Sequence, residues 1–154
     1  MIRVENRFQK SAGAAQLGGP GSLAEAQYGT KLTGRPLVSI VDDDESVRES
    51  LPDLVRELGF TAQAFASAGE FLASDSASET ECLILDIMMP GMSGPELQEE
   101  LKRRRQHIPI VFITAQTGEN LRRQMLAKGA VECLIKPFSD EALLDALNSA
   151  LRTN

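Results

Sequence analysis

From Leu37 onward, short apolar runs of strand length alternate with segments in which apolar residues recur at helical spacing. The predicted strands are the five runs 37–41, 61–65, 82–85, 108–113 and 131–135. Strands that alternate with helices through short connections are typical of a parallel sheet covered by helices on both faces. The pattern therefore predicts an α/β domain with a doubly wound, five-stranded parallel sheet.

Helix boundaries can be predicted from capping and stop signals. A serine followed three residues later by glutamate marks a helix start, and the chain has this pattern at Ser46–Glu49, Ser67–Glu70 and Ser93–Glu96. Gly59 and Gly129 are predicted to end helices. Pro52 lies inside the first predicted helix, where a missing N–H predicts a kink.

The first 35 residues have a different composition. They contain Gly18-Gly19-Pro20-Gly21 and no sustained hydrophobic period, which predicts a disordered N-terminal extension followed by one folded domain over residues 36–154. Residues 37–154 carry eleven basic and twenty acidic side chains. So acidic a domain is a poor non-specific binder of nucleic acid, and it favours cations or basic protein surfaces as partners.

Hydrophobicity and cysteine content indicate where in the cell the protein is expected. No run approaches the eighteen or so apolar residues of a membrane helix, and the N-terminus lacks the apolar segment of a secretory signal. Cys82 and Cys133 are the only cysteines and each lies in an apolar run. We therefore expect a cytoplasmic protein without a disulfide framework and without membrane association.

Polar residues that could bind a ligand or take part in a reaction follow four of the predicted strands. These residues are Asp42, Asp43, Asp44 and Glu45, then Asp86, then Thr114, then Lys136 with Pro137. Because the carboxyl ends of parallel strands share one edge, these groups should converge there. A helix cap would explain Asp44 alone, but a cluster of carboxylates needs a cation. An all-oxygen site suits Mg²⁺ and leaves room for phosphate oxygens, which Lys136 would also attract.

In this order and setting, the residues resemble the receiver domain of two-component response regulators. The resemblance covers residues 37–152 and rests on four segments: Val41-Asp42-Asp43-Asp44, LDIMMPGMSG from Leu85 to Gly94, Thr114-Ala115 and Lys136-Pro137-Phe138. The segments DESVRESL at 44–51 and GAVEC at 129–133 are most similar to the FixJ-like branch of the family. The resemblance implies a flavodoxin-like (βα)5 fold with strand order 2-1-3-4-5.

The resemblance also implies roles for the acidic residues. Asp86 would accept a phosphoryl group from the phosphohistidine of a sensor histidine kinase or a phosphotransfer protein. Asp43, Asp86 and the backbone carbonyl of Met88 would bind Mg²⁺, and Asp42 would act through a metal-bound water. Phosphorylation would then rearrange one face of the domain.

Further roles fall on the later strands. Thr114 would turn its hydroxyl towards the phosphoryl group. Lys136 would contact the phosphoryl oxygens, and in the resting state Asp86, while the bond to Pro137 would be cis. Met88 and Gln116 flank the site and are expected to tune the phosphoryl lifetime, because an apolar Met88 could shield the acyl phosphate from water.

Two positions depart from the family pattern. Cys133 occupies the position where the family usually has tyrosine or phenylalanine, so the usual aromatic readout is in doubt. We interpret Cys133 as a small buried residue, with a redox sensor as the alternative. Pro52 is expected to reshape the helix face that receivers present to kinases.

Because the sequence stops directly after the last predicted helix, we expect a single-domain response regulator without an output domain. It would signal through a downstream protein target or by phosphorelay, without binding DNA, and phosphorylation-dependent homodimers are common in the family. Its only catalysis would be self-catalysed phosphotransfer and autodephosphorylation. Two alternatives remain: a phosphate-independent interaction module, and a haloacid-dehalogenase-type phosphatase that uses Asp42 as nucleophile.

Overall fold

Five parallel strands form the central sheet in the computed structural model, which describes residues 34–152. The strands are β1 (Leu37–Val41), β2 (Thr61–Phe65), β3 (Cys82–Asp86), β4 (Ile110–Thr114) and β5 (Glu132–Ile135). Their spatial order is β2-β1-β3-β4-β5, and every neighbouring pair is parallel. This confirms the predicted fold class and strand order. Most of the predicted N-terminal extension lies outside the described residues.

The helices are α1 (Glu45–Glu57), α2 (Ala68–Ala73), α3 (Gly94–Arg103), α4 (Glu119–Ala127) and α5 (Asp140–Arg152). A short 3-10 helix at Asp75–Glu79 connects α2 to β3. The sequence pattern did not predict it, because its serine-rich segment has no apolar period. Within residues 34–152, no helix is both long and apolar enough to cross a bilayer.

Alternating side chains of the strands build one apolar layer on each face of the sheet, as the pleat requires. On one face Leu83 and Phe112 pack with residues of α2, α3 and α4 such as Leu97. On the other face Ile84 and Ile113 pack with residues of α1 and α5, among them Leu51, Val55, Leu143 and Leu147. Burial on both faces explains why three of the strands are continuous apolar runs.

Several element boundaries differ by one or two residues from the sequence prediction: β3 includes Asp86, β5 begins at Glu132, and β4 and α1 also begin at other residues than predicted. β4 begins at Ile110 rather than Ile108, because Pro109 has no N–H to donate to the ladder. Helix α1 is capped by Asp44 rather than by Ser46, since Asp44 Oδ1 accepts hydrogen bonds from Ser46 N at 2.9 Å and Ser46 Oγ at 2.8 Å. Ser46 therefore lies inside the first turn.

The caps predicted for the next helices are confirmed. Ser67 caps α2, and at α3 Ser93 Oγ accepts from Glu96 N while Glu96 Oε1 accepts from Ser93 N, a complete capping box. Pro52 lies inside α1 and is buried. The kink expected at Pro52, and its effect on a kinase-binding face, stay predictions.

Candidate functional site

Three carboxylates converge at the carboxyl edge of the sheet. Asp42 and Asp43 directly follow β1, and Asp86 ends β3, which pairs with β1 in parallel. One carboxylate oxygen from each of the three lies within 4.8 Å of the other two. Asp42 and Asp86 are buried whereas Asp43 is exposed, so the cluster opens to solvent on one side.

Lys136, directly after β5, supplies the positive charge of the cluster. Its Nζ lies 2.9 Å from Asp42 Oδ2 and 3.8 Å from Asp86 Oδ1. The resemblance implied a resting pair with Asp86, and the structure contains that pair but places the shorter contact on Asp42. The Asp42 carboxylate is completely buried, so its charge depends on this ammonium and on hydrogen bonds.

Asp42 is held at both carboxylate oxygens and at its backbone carbonyl. Its Oδ1 accepts a hydrogen bond from Asp44 N at 2.9 Å, and its Oδ2 accepts one from Lys136 Nζ at 2.9 Å. Arg48, in the first turns of α1, donates from NH1 to the Asp42 carbonyl at 3.1 Å. Arg48 was not among the predicted site residues, because a contact over six residues through a loop leaves no periodic signal in the sequence.

Burial and the negative charge of Asp42 raise the pKa of Asp86 to about 7, although Lys136 acts in the opposite direction. Burial alone would lower the pKa of Lys136, but Asp42 and Asp86 raise it overall. One ammonium therefore does not neutralise three carboxylates. This surplus of negative charge and the all-oxygen donor set fit a divalent cation such as Mg²⁺, with Asp43 and Asp86 available as direct donors and Asp42 close enough to act through a bound water.

Thr114 ends β4 and connects the cluster to the Lys136 loop. Its side chain is buried, and its Oγ1 accepts a hydrogen bond from Gln116 N at 3.0 Å. Its carbonyl accepts from Lys136 N at 2.8 Å. The Lys136–Pro137 peptide bond is cis. Because Ile113 pairs with Asp86 across the sheet, Thr114 lies one residue beyond Asp86 at the same edge.

Gly94 is a further site residue that was not predicted from the sequence. A Cβ atom at this position would lie 2.4 Å from the Asp86 carbonyl oxygen and 3.0 Å from Ile87 Cα. Gly94 N also donates to the Ile87 carbonyl at 3.0 Å. The start of α3 therefore packs directly on the backbone that carries Asp86. The available signal was a glycine in the first turn of a well-capped helix, where it is a poor helix former.

The remaining sequence candidates lie around this centre. Cys133 is buried beside Phe112, its partner in β4, and burial raises the pKa of its thiol. A buried protonated thiol fits the structural interpretation better than a redox sensor. Gln116 is exposed, and the side chain of Met88 is 59% exposed.

Comparisons with known proteins agree with this geometry. The family model of the response regulator receiver domain matches residues 38–148. Nodulation protein W of Bradyrhizobium diazoefficiens is 43% identical over 121 residues, which cover 79% of this chain and 53% of that protein. The transcriptional regulatory protein FixJ of Azorhizobium caulinodans is 35% identical over 114 residues, covering 74% of this chain and 54% of that protein.

Among solved structures, the response regulator StyR superposes with a TM-score of 0.70 at 47% identity, over 79% of this chain and 61% of that one. The similarity to FixJ is consistent with the FixJ-like branch indicated by the sequence. The chain spans about half the length of the curated relatives it matches.

Proposed function

This chain belongs to the family of response regulator receiver domains, and from that premise we propose that Asp86 accepts a phosphoryl group in a Mg²⁺-dependent reaction. The donor is the phosphohistidine of a sensor histidine kinase or a phosphotransfer protein. Receiver domains are signalling modules that interact with histidine kinases and bind Mg²⁺ at an acidic pocket. One observation carries the proposal: Asp42, Asp43 and Asp86 lie within 4.8 Å of one another beside Lys136.

The transfer is a substitution at phosphorus. An Asp86 carboxylate oxygen forms the new P–O bond as the P–N bond breaks, and the donor ring, already protonated on its other nitrogen, takes the electron pair and leaves as neutral imidazole. Mg²⁺ at the acidic cluster would offset the repulsion between the carboxylate and the phosphoryl oxygens. Lys136, already 3.8 Å from Asp86 Oδ1, is suited to contact the same oxygens.

The geometry favours Asp86 over Asp42 as the nucleophile. Both carboxylate oxygens of Asp42 are occupied, one by Asp44 N and one by Lys136 Nζ. Asp42 is also completely buried. A phosphatase of the haloacid-dehalogenase type would need a free Asp42 oxygen, so this alternative has little support. Asp42 is better suited to orient a metal-bound water.

The response to phosphorylation is proposed to pass through Thr114 and Lys136. The Thr114 hydroxyl is engaged by Gln116 N in the structure and would turn towards the phosphoryl group. Because Lys136 N donates to the Thr114 carbonyl, movement in one loop would reach the other. Met88 would shield the acyl phosphate from water and Gln116 would help set its lifetime. Exchange of Met88 for asparagine is expected to speed hydrolysis of the phosphorylated protein.

We propose that the output is a protein–protein event: binding of a downstream protein, phosphorelay, or a phosphorylation-dependent homodimer. The excess of acidic side chains after residue 36 disfavours direct DNA binding by this domain. The chain spans about half the length of the relatives it matches, so this proposal concerns the receiver domain. The free cysteines Cys82 and Cys133 suit a reducing cytoplasm.

The test is intact mass after incubation with phosphoramidate, with and without Mg²⁺. The wild type is expected to gain one phosphoryl group only with Mg²⁺, and Asp86→Asn should gain none. Asp44→Asn is the control, because Asp44 is an exposed neighbouring carboxylate that caps α1. No gain in the wild type would favour a phosphate-independent interaction module. A gain that persists in Asp86→Asn would move the nucleophile elsewhere and contradict the proposal.

A further inference from the structure

The solvent side of α1 carries a row of acidic side chains, which we call the acidic stripe. Its members are Glu45, Glu49, Asp53 and Glu57, at intervals of four residues over the whole length of the helix. All four are exposed. Side chains four residues apart lie on the same face of a helix, so these carboxylates form one continuous row. None of them belongs to the phosphorylation site, so the stripe needs its own explanation.

The basic residues of α1 leave most of the stripe unneutralised. Within residues 34–152, no hydrogen bond or ion pair engages the side chains of its three glutamates. Only Asp53 is paired, with Arg56 at 3.1 Å. Both arginines of α1 also reach towards the sheet: Arg48 donates to the Asp42 carbonyl at 3.1 Å, and Arg56 donates to the Ala62 carbonyl at 3.0 Å. The outer face of the helix therefore stays negative.

The stripe does not serve the stability of α1. Like charges four residues apart destabilise a helix, and the stripe contains three such successive pairs. Glu57 is the last residue of the helix, where a negative charge interacts unfavourably with the helix dipole. A cationic partner along this face would relieve both repulsions.

An apolar row lies directly beside the acidic stripe. Leu54 and Leu58 follow Asp53 and Glu57 by one position each, and both are only partly buried against the core. A partner with basic and apolar side chains in two adjacent rows would match both features of this surface. An amphipathic basic helix has this arrangement.

The first ten residues of the chain, MIRVENRFQK, have the complementary pattern. Arg3, Arg7 and Lys10 recur at intervals of four and three residues, whereas Val4 and Phe8 follow the two arginines by one position each. In a helix these side chains would form a basic row beside an apolar row. The ten residues lie outside residues 34–152, so the match is between their sequence pattern and the surface of α1.

The chain enters the described domain beside the end of α1. The Pro36 carbonyl accepts a hydrogen bond from Thr61 N at 2.9 Å, and Thr61 follows soon after Glu57. α1 has thirteen residues and is therefore about 20 Å long. Residues 11–33 include five glycines, and a glycine-rich chain of this length has a root-mean-square span of about 25 Å. Residues 1–10 can therefore reach all of α1.

We propose that residues 1–10 dock as a basic amphipathic helix on α1 of the same molecule and cover the acidic stripe. Their basic row would lie along the carboxylates, and their apolar row would lie against Leu54 and Leu58. The segment would fold on docking. While it is docked, this face of α1 is closed to other basic proteins, which would have to displace it.

The first test compares amide chemical shifts of the full ¹⁵N-labelled chain with those of the triple variant Arg3→Glu, Arg7→Glu and Lys10→Glu at low ionic strength. We expect the shifts to differ along α1, because the docked segment is released in the variant. Raising the salt concentration to about 0.5 M should move the wild-type shifts towards those of the variant. The control is Lys31→Glu, which reverses one charge outside residues 1–10 and should leave α1 unchanged.

The second test adds a synthetic peptide of residues 1–10 to the full-length triple variant. The peptide should produce saturable shifts at the same α1 amides. Combined Glu49→Lys and Glu57→Lys should weaken its binding by about tenfold. Combined Glu141→Lys and Asp145→Lys, which reverse two exposed charges four residues apart on α5, should not. All four positions are exposed, so these variants should fold.

Three results would overturn the proposal. The first is identical α1 shifts in the wild type and the triple variant. The second is peptide binding that survives reversal of the α1 charges, or that weakens equally when the α5 charges are reversed. The third is a dependence of the wild-type α1 shifts on protein concentration, which would show that the segment docks on a second copy of the chain.

Discussion

The carboxyl and amino edges of the sheet differ in how far their charged side chains are balanced by opposite charges. At the carboxyl edge, three carboxylates share one ammonium, and two of the three are buried. At the amino edge, the basic residues at the end of α3 are exposed and offset within their own helix, since Arg103 and Arg104 both pair with Glu100. Positive charge at the amino edge also interacts favourably with the dipole at the C-terminal end of α3. At the carboxyl edge a surplus of negative charge remains, and this surplus suits a divalent cation at the proposed phosphorylation site.

Backbone packing against Asp86 should be the feature most sensitive to mutation. Gly94→Ala would place a Cβ 2.4 Å from the Asp86 carbonyl oxygen. We expect it to lower the free energy of unfolding by ~1–3 kcal/mol, the usual cost of overpacking, and to impair phosphorylation. Chemical denaturation and intact mass measure the two effects.

Gly69→Ala in α2 is the matched control, because the nearest atom to its Cβ would be 3.9 Å away. It is expected to raise stability by ~0.4–1 kcal/mol through the unfolded chain. Equal effects of the two alanines would show that the approach of α3 to the Asp86 backbone is not tight.

The surplus charge should also appear in the pH dependence of stability. The pKa of Asp86 is raised from an ordinary value near 4 to about 7, so its ionised form destabilises the fold. Without Mg²⁺, the contribution of Asp86 to the free energy of unfolding should fall as pH rises from about 4 to about 7, so the wild type should lose stability relative to Asp86→Asn over this range. Mg²⁺ should reduce this loss in the wild type, because it binds the ionised carboxylates, and should have less effect on Asp86→Asn. Urea denaturation at several pH values is the measurement.

A smaller effect is expected from Arg48, which acts on the cluster only through the Asp42 carbonyl. Arg48→Gln should weaken Mg²⁺ binding several-fold, because the loop that carries Asp42 and Asp43 loses a restraint. Calorimetric titration with Mg²⁺ measures it, with Arg152→Gln on α5 as the control for loss of one exposed charge. If the affinity of Arg48→Gln for Mg²⁺ were unchanged, Arg48 would have no role in positioning Asp42 and Asp43.

The smallest effect is expected when a carboxylate at the amino edge of the sheet is replaced by an amide. Arg103 and Arg104 lower the pKa of Glu100 to about 2, but this ion pair is exposed. Glu100→Gln should leave stability and phosphorylation unchanged within error, since exposed ion pairs contribute little. A large loss in Glu100→Gln would erase the contrast between the two edges.

Structural features that depend on residues close together in the sequence could be predicted from the sequence. Strand order followed from the resemblance, and the capping serines Ser67 and Ser93 follow from spacing over three residues. Convergence of Asp42, Asp43 and Asp86 followed from the parallel alternation of strands and helices. Contacts that depend on distances in three dimensions were not predicted: the approach of Gly94 to Asp86, and the preference of Lys136 for Asp42. The cap at Asp44 lay between these cases, because Asp44 and Ser46, two residues apart, are both suitable N-cap residues for one helix end.

The central claim is that Asp86 carries the phosphoryl group. Its most direct test is reduction of the phosphorylated protein with borohydride, which converts an aspartyl phosphate to homoserine, followed by peptide sequencing in the mass spectrometer. We expect homoserine at position 86 and unmodified aspartate at Asp42 and Asp43. Homoserine at position 42 would contradict the account and favour the phosphatase alternative.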